Sequence, residues 1–162
     1  KITAMDLSED MLKEAKTKLK HFKNHHRLNY ESTDLNTTPK LDPCKLVLLV
    51  LTLQFLEPKN RLPLVTEIYE KLTPGGALIL VEKCYSKDDS IESLQTEAYY
   101  DFKRSQGYSE LEIQQKREAL KGILRPYTFE ENMLVLKEAG FESRDCFFRW
   151  GPFVGIIAVQ EG

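Results

Sequence analysis

The stretch KLVLLVL (45–51) runs straight into TLQFLEP (52–58), and these two pieces decide the fold. After Lys45 the first piece is apolar without polar alternation, the pattern of a strand covered on both faces in the middle of a parallel sheet. In an open α/β sheet the ligand crevice forms where such strands give way to polar residues, so residues 52–57 mark the edge of a site. A core strand followed by a plain loop fits the same letters.

On the C-terminal side, Pro58 suits the first turn of a helix whose apolar positions Leu62, Val65, Ile68, Tyr69 and Leu72 keep the 3.6-residue period. Thr73-Pro74-Gly75-Gly76 ends it, and residues 77–81 make another buried strand. On the N-terminal side, residues 1–5 form a short strand ending on Asp6. Ser8 then caps a helix with an acidic first turn, Glu9-Asp10, expected to run to about Lys23 on the face of Met11, Leu12, Ala15, Leu19 and Phe22. Residues 28–31 make a second short strand that ends near Asp34 before a polar loop. Strands alternating with helices predict a parallel α/β sheet. Asp6 and Asp34 each place a carboxylate at a strand end, where it can accept hydrogen bonds from a ribose diol or an exocyclic amine. Capping or turning the chain is the alternative role for both.

Residues 86–124 are polar, charged and helical, and read as an inserted cap. Gly107 separates two helices in it, and Ser109-Glu110-Leu111-Glu112 is a capping box for the second. On that second helix Arg117 shares its side with Ile113, Leu120 and Leu124 and has no acid three or four residues away, whereas Arg104 has Asp101 and Lys116 has Glu112. An arginine so placed snorkels, bridges to another helix or meets an anion. Thr128-Phe129-Glu130-Glu131 is a second capping box, opening a helix that ends at Gly140. Two aromatic and β-branched runs joined by Gly151-Pro152 then form a hairpin, an antiparallel edge on the parallel sheet.

With 162 residues, 41% hydrophobic, and a net charge of -2, the chain suits one globular domain and carries no global basic footprint for nucleic acid. Cys44, Cys84 and Cys146 are widely spaced and odd in number, which fits small buried hydrophobes in a reducing compartment better than disulfides or a zinc site. His25-His26 are adjacent and do not share a helix face, so a metal role is not assigned to them. The longest apolar run is far shorter than the roughly 20 residues that cross a bilayer. The expectation is a cytoplasmic protein without a membrane partner.

A sheet closed by an antiparallel hairpin, with an acid ending one strand and Pro-Gly-Gly before another, resembles the Rossmann-like class I S-adenosylmethionine-dependent methyltransferase fold. The likeness sharpens in TLQFLEP (52–58), in PGGALIL (74–80) with Glu82-Lys83, and above all in DFKRSQGYSELEIQQKR (101–117). In that order these pieces resemble the carboxy-S-adenosyl-L-methionine synthase family. The resemblance implies conversion of S-adenosylmethionine and prephenate to carboxy-S-adenosylmethionine and phenylpyruvate, a product used in tRNA wobble uridine modification. It implies a homodimer and no direct nucleic-acid contact. It also implies cofactor-binding roles: Asp6 on the ribose with Leu7 against the adenine, Asp34 and Leu35 at the adenine edge, Val50 at the end of the central strand, and Arg117 on the carboxylate of the carboxylated cofactor. A planar guanidinium grips a carboxylate with two parallel hydrogen bonds, and an ordinary methyltransferase has no cofactor carboxylate there to grip. The implied chemistry asks for positioning and charge stabilisation in a dry pocket, so no proton-transfer residue is named.

The chain departs from the family at Val50, where familiar members have an asparagine, and at Leu7, where a polar residue is common. It also begins at the second strand of that fold, without the first strand and its glycine-rich turn. Residues 1–162 are therefore expected to be a single methyltransferase-like domain lacking an N-terminal part, with residues 86–125 as a cap within it. The gap is expected to expose apolar faces and weaken cofactor binding. An ordinary methyltransferase, a non-catalytic interaction module and, through the ribose acid, a dinucleotide dehydrogenase are the competing readings.

Overall fold

The computed structural model describes residues 1–161. Its first unit, Lys1–Lys40, is a parallel strand pair with one helix. Strand β1 (Ile2–Asp6) pairs with β2 (Leu28–Ser32), in register from Ile2 against Leu28 to Asp6 against Ser32. The crossover helix α1 (Glu9–Leu19) begins as its letters require, with the Ser8 side chain accepting from the Met11 N–H and Glu9 and Asp10 in the positive first turn. It stops four residues before Lys23. Helices persist where they bury an apolar face, and the one apolar residue left beyond Leu19, Phe22, is 66% exposed. Its N–H donates to the Leu19 carbonyl, and the chain turns away.

The second unit, Leu41–Gly162, carries a four-stranded sheet. Its strands are β3 (Cys44–Val50), β4 (Leu72–Lys83), β5 (Ser143–Trp150) and β6 (Phe153–Val159), in the order β3-β4-β6-β5. The pair β3–β4 is parallel, while β6 runs antiparallel to both β4 and β5. The expected hairpin on a parallel sheet is thus present. Helix α2 (Pro58–Lys71) joins β3 to β4, with its proline in the first turn, and α5 (Phe129–Glu138) precedes the hairpin. Leu64, Val65 and Ile68 of α2, Leu78 and Leu80 of β4, Leu136 of α5, Phe141, and Val154 and Ile156 of β6 form the buried core. Helix α5 ends at Gly140, where φ is +112° and a Cβ would stand 2.8 Å from the Tyr69 ring, so geometry and space both demand glycine.

Three expectations need correction. Strand β4 starts at Leu72, before the Pro-Gly-Gly turn rather than after it. Cys44 pairs with Leu72 and Leu46 with Ala77, so residues 73–76 bulge, and they still find sheet partners because Gly75 donates to the Gln160 carbonyl and Gln160 to the Gly76 carbonyl. Strand β3 is not covered on both faces: Leu49 is buried, but Leu46, Leu48 and Val50 are 55%, 60% and 53% exposed. These three lie two apart and share one face of the pleat, and β3 is the edge strand of its sheet. Of the cysteines only Cys84 is buried, while Cys44 and Cys146 are half-buried; all three are free thiols.

The inserted segment forms α3 (Asp89–Ser105) and α4 (Glu110–Leu120), with a positive φ at Gly107 between them. Both capping boxes are complete, with Ser109 and Thr128 accepting from, and donating through their backbones to, Glu112 and Glu131. The insertion is a closed excursion. Tyr85 just before it donates its N–H to the carbonyl of Tyr127 just after it, at 3.3 Å.

Candidate functional site

In the first unit the parallel pairing of β1 with β2 puts both strand ends on one edge. Asp6 is the last residue of β1, opposite Ser32, and Asp34 lies two residues beyond Ser32. Each carboxylate is oriented by a backbone donor: Asp6 Oδ1 accepts from the Ser8 N–H at 2.8 Å, and Asp34 Oδ1 from the Asn36 N–H at 2.9 Å. The capping role considered for both residues is therefore real, and it fixes where the carboxylates sit. Leu7 is 67% exposed beside Asp6, and Leu35 opens the short 3₁₀ turn that Asp34 caps. Two oriented acids flanked by apolar side chains on a parallel sheet's carboxyl edge suit a nucleoside, with its diol, amine and flat base.

In the second unit the tip of β3 is built around two buried charges. Leu51 takes a left-handed φ of +54°, costly for a leucine, and donates its N–H to the Val81 carbonyl at 2.7 Å. Beyond this kink three successive backbone N–H groups aim at one carboxylate. Glu82 Oε1 accepts from Thr52 at 3.0 Å and Leu53 at 2.8 Å, and Oε2 from Gln54 at 3.1 Å. The Gln54 side chain answers by accepting from the Lys83 N–H at 3.2 Å. Glu82 is only 3% exposed, and burial pushes its pKa up to about 7 against the pull of the three N–H donors and of Arg61.

Arg61, 1% exposed, closes the other side of the loop. Its Nε and Nη2 donate to the Leu56 carbonyl at 3.2 and 3.1 Å, and Nη2 reaches the Gln54 and Arg125 carbonyls at 3.5 and 2.6 Å. Its guanidinium also stacks 4.0 Å from the centre of the Tyr127 ring. Arg125 donates its N–H to Gln54 and pairs with Glu57 through its side chain. The loop after β3 and the exit of the helical insertion are thus one hydrogen-bonded body. The buried side chains of Gln54, Arg61 and Glu82 in it are all hydrogen-bonded to backbone groups, which makes a rigid platform rather than a reactive one.

Val50 ends β3 at the base of this platform, and its carbonyl accepts from the Thr52 hydroxyl at 3.1 Å. Arg117 is exposed on α4, one turn after the buried Ile113, and has no ion-pair partner among the described residues. Arg104, by contrast, is fully engaged, bonded to both Asp101 and Glu110. Within the first unit the fold gathers Asp6, Leu7, Asp34 and Leu35; Val50 and Arg117 belong to the second unit. Arg61 and Glu82 are not among the site residues expected from the sequence, although the sequence carries a signal for both. Glu82 keeps the alternation of Leu78 and Leu80, and Arg61 keeps the helical spacing of Leu64, Val65 and Ile68, so both fall on faces that must be buried.

Among the described residues no helix is long and apolar enough to cross a membrane, and no group of acids, histidines and cysteines is arranged to hold a metal ion. Residues 1–76 match a family described as a methyltransferase domain. The chain is similar in fold to human N-acetylserotonin methyltransferase, solved in complex with SAM, at a TM-score of 0.63 and 18% identity, with 100% of this chain and 41% of that one covered. It is 40% identical to the carboxy-S-adenosyl-L-methionine synthase of Methylococcus capsulatus over 98% of this chain and 66% of the relative. It is 36% identical to that of Nautilia profundicola over 98% and 67%. The chain thus spans about two thirds of the length of these relatives. With a class I methyltransferase fold and that degree of identity along nearly all of its residues, the chain belongs to the carboxy-S-adenosyl-L-methionine synthase family.

Proposed function

We propose that this chain carries the cofactor-holding part of an S-adenosylmethionine-dependent transferase, a carboxy-S-adenosyl-L-methionine synthase. It takes the carboxyl group from prephenate, releases phenylpyruvate and supplies a product for tRNA wobble uridine modification. The observation that carries the reading is that Arg117 stands exposed and without an ion partner among the described residues, at the end of segment 101–117, which most resembles the family. Relatives of that name and identity support it.

In this reading Asp6 accepts the ribose diol and Leu7 covers one face of the adenine. Asp34 accepts from the adenine amine with Leu35 alongside. Val50 offers only apolar contact or its carbonyl, and that carbonyl already accepts from Thr52. The cofactor supplies the sulfonium methyl group that is carboxylated. Arg117 grips the new carboxylate with two parallel hydrogen bonds, which selects the carboxylated form over the parent cofactor. The loop pinned by Glu82 and Arg61 keeps the tip of β3 fixed with no reorganisation at the moment of reaction. The enzyme works in the cytoplasm, as a homodimer.

Mass spectrometry of the small molecules released from the protein isolated from its own cells tests this. Carboxy-S-adenosylmethionine is expected. Release of S-adenosylhomocysteine alone, with methyl transfer that needs no prephenate, would instead make the chain an ordinary methyltransferase.

A further inference from the structure

Apart from the strand ends, the second unit holds a cleft of about 520 Å³ against α3 and α4, with Tyr99 and Lys103 contributed by α3, Glu112 and Lys116 by α4, and Tyr108 by the turn between them. Nothing assigned so far uses it. Its walls combine aromatic rings with crowded cations. Lys103 Nζ lies 4.7 Å from the centre of the Tyr99 ring and 5.8 Å from that of Tyr100, and Lys83 Nζ, from the end of β4, lies 5.6 Å from the same Tyr99 ring.

The acids near these lysines are occupied. Glu112 Oε2 accepts from the Ser109 N–H at 2.8 Å and its hydroxyl at 2.7 Å, completing the α4 cap. Glu92, the anion nearest in effect to Lys83, accepts from the Ser86 N–H at 2.8 Å. Two further acids of these helices, Asp101 and Glu110, are taken by Arg104, and Glu118 is paired with Lys121. Burial pushes the Lys103 ammonium below its ordinary range, and the neighbouring charges of Lys83 and Lys116 push it the same way; no anion opposes them. Lysines on an ordinary surface spread apart into water. Here Lys103 and Lys83 both stand over the Tyr99 ring, and Lys103 shares the wall of a concave site with Lys116, an arrangement that an anion would relieve and that a ring would complete.

We propose that this cleft binds a ring-bearing dicarboxylate, with Lys103 and Lys116 taking its carboxylates and Tyr99 and Tyr108 flanking its ring. The proposal rests on the function above and gives prephenate, which carries two carboxylates on and beside a six-membered ring, its docking place. Lysine suits the task because a point charge on a flexible stem follows a carboxylate in more than one pose, whereas Arg117 is reserved for one bidentate grip. The chain's net charge of -2 and the concavity of the site favour a small dianion over a nucleic-acid backbone.

The test is calorimetric titration of the full chain with phthalate, a stable ring dicarboxylate that needs neither cofactor nor turnover. Lys103→Met and Lys116→Met keep the apolar stems and remove the charges, and each is expected to weaken phthalate about fivefold, as for loss of one part-exposed ion pair. Lys103→Arg restores binding. Benzoate binds at least about fivefold more weakly than phthalate, for the same reason. The control Lys137→Met, on α5, changes nothing. No phthalate binding, phthalate binding by both methionine variants as tight as by the wild-type chain, benzoate as good as phthalate, or displacement of bound phthalate by a short single-stranded RNA at a concentration below that of the phthalate would each overturn the proposal. If prephenate is consumed with an unchanged KM in both variants, the docking site is wrong and the synthase reading survives. If phthalate binding depends on both lysines in a protein that leaves prephenate untouched, the site stands and the synthase reading falls.

Discussion

Replacing Glu82 by glutamine isolates the buried charge at the tip of β3. A carboxyl group with an ordinary value of 4.5 and a folded-state pKa of about 7 holds its proton more tightly when folded than when unfolded. Its contribution to stability is therefore fully present below about pH 4.5 and is lost as pH rises to about 7. Between pH 5 and pH 8 the linkage relation gives a loss of about 2.5 kcal/mol for these two values. Glutamine has no such titration. It is also not a silent replacement: its oxygen can serve the Thr52 and Leu53 N–H groups, but its NH₂ then faces the Gln54 N–H, leaving a buried donor unpaired at about 1–3 kcal/mol.

The two effects differ in their pH dependence and so can be separated. Urea unfolding of both proteins at several pH values is expected to show Glu82→Gln clearly less stable at pH 5, with the gap closing by about 2.5 kcal/mol by pH 8. Titrations shared by the two proteins cancel in the difference. A gap that stays constant from pH 5 to pH 8 would mean that Glu82 keeps an ordinary carboxylate pKa despite its burial, and the argument from desolvation would be wrong. A gap that is flat above pH 5 but widens as pH rises from about 3 to 5 would mean that the three N–H donors outweigh burial, reversing the sign.

Arg61→Met removes a donor from the Leu56, Gln54 and Arg125 carbonyls at once and is expected to cost about 3 kcal/mol in urea unfolding, with faster amide exchange at residues 52–57 than at the core of β4. Arg117→Ala is expected to leave unfolding unchanged, because the side chain is exposed, while weakening carboxy-S-adenosylmethionine at least about tenfold in calorimetry and S-adenosylhomocysteine not at all; Arg117→Lys should recover only part of the loss. Gly140→Ala forces a side chain into a φ of +112° and against the Tyr69 ring, and should cost about 1–3 kcal/mol by the same unfolding measurement. Burial pushes the Cys84 thiol up to about 11, so iodoacetamide at pH 8, followed by mass spectrometry, should label Cys146 well before Cys84.

What could be read from the letters was whatever the chain decides locally. Ser8, Ser109 and Thr128 cap helices because a hydroxyl oxygen two or three residues from an unpaired N–H needs nothing distant to bond it. Gly140 ends α5 for an equally local reason, the left-handed turn, and Gly151-Pro152 joins two runs of strand formers into the β5–β6 hairpin. The length of α1 and the burial of β3 were not local. Phe22 and Leu46 are apolar letters at correct spacings, yet burial needs a surface on the other side, and neither has one.

The same distinction separates the three charges that fall on apolar faces. Arg61, Glu82 and Arg117 each keep the spacing of buried neighbours, so periodicity marks all three as costly to leave alone. The fold resolves two of them from inside: Arg61 takes backbone carbonyls and Glu82 takes backbone N–H groups, from segments that no spacing rule would have connected to them. Arg117 is left exposed, without an ion partner among the described residues. A charge that the fold satisfies is structural, and one that it leaves unsatisfied beside a recognised sequence signature is free to meet a ligand. On that contrast Arg61→Met and Glu82→Gln should be seen in unfolding, Arg117→Ala in binding alone.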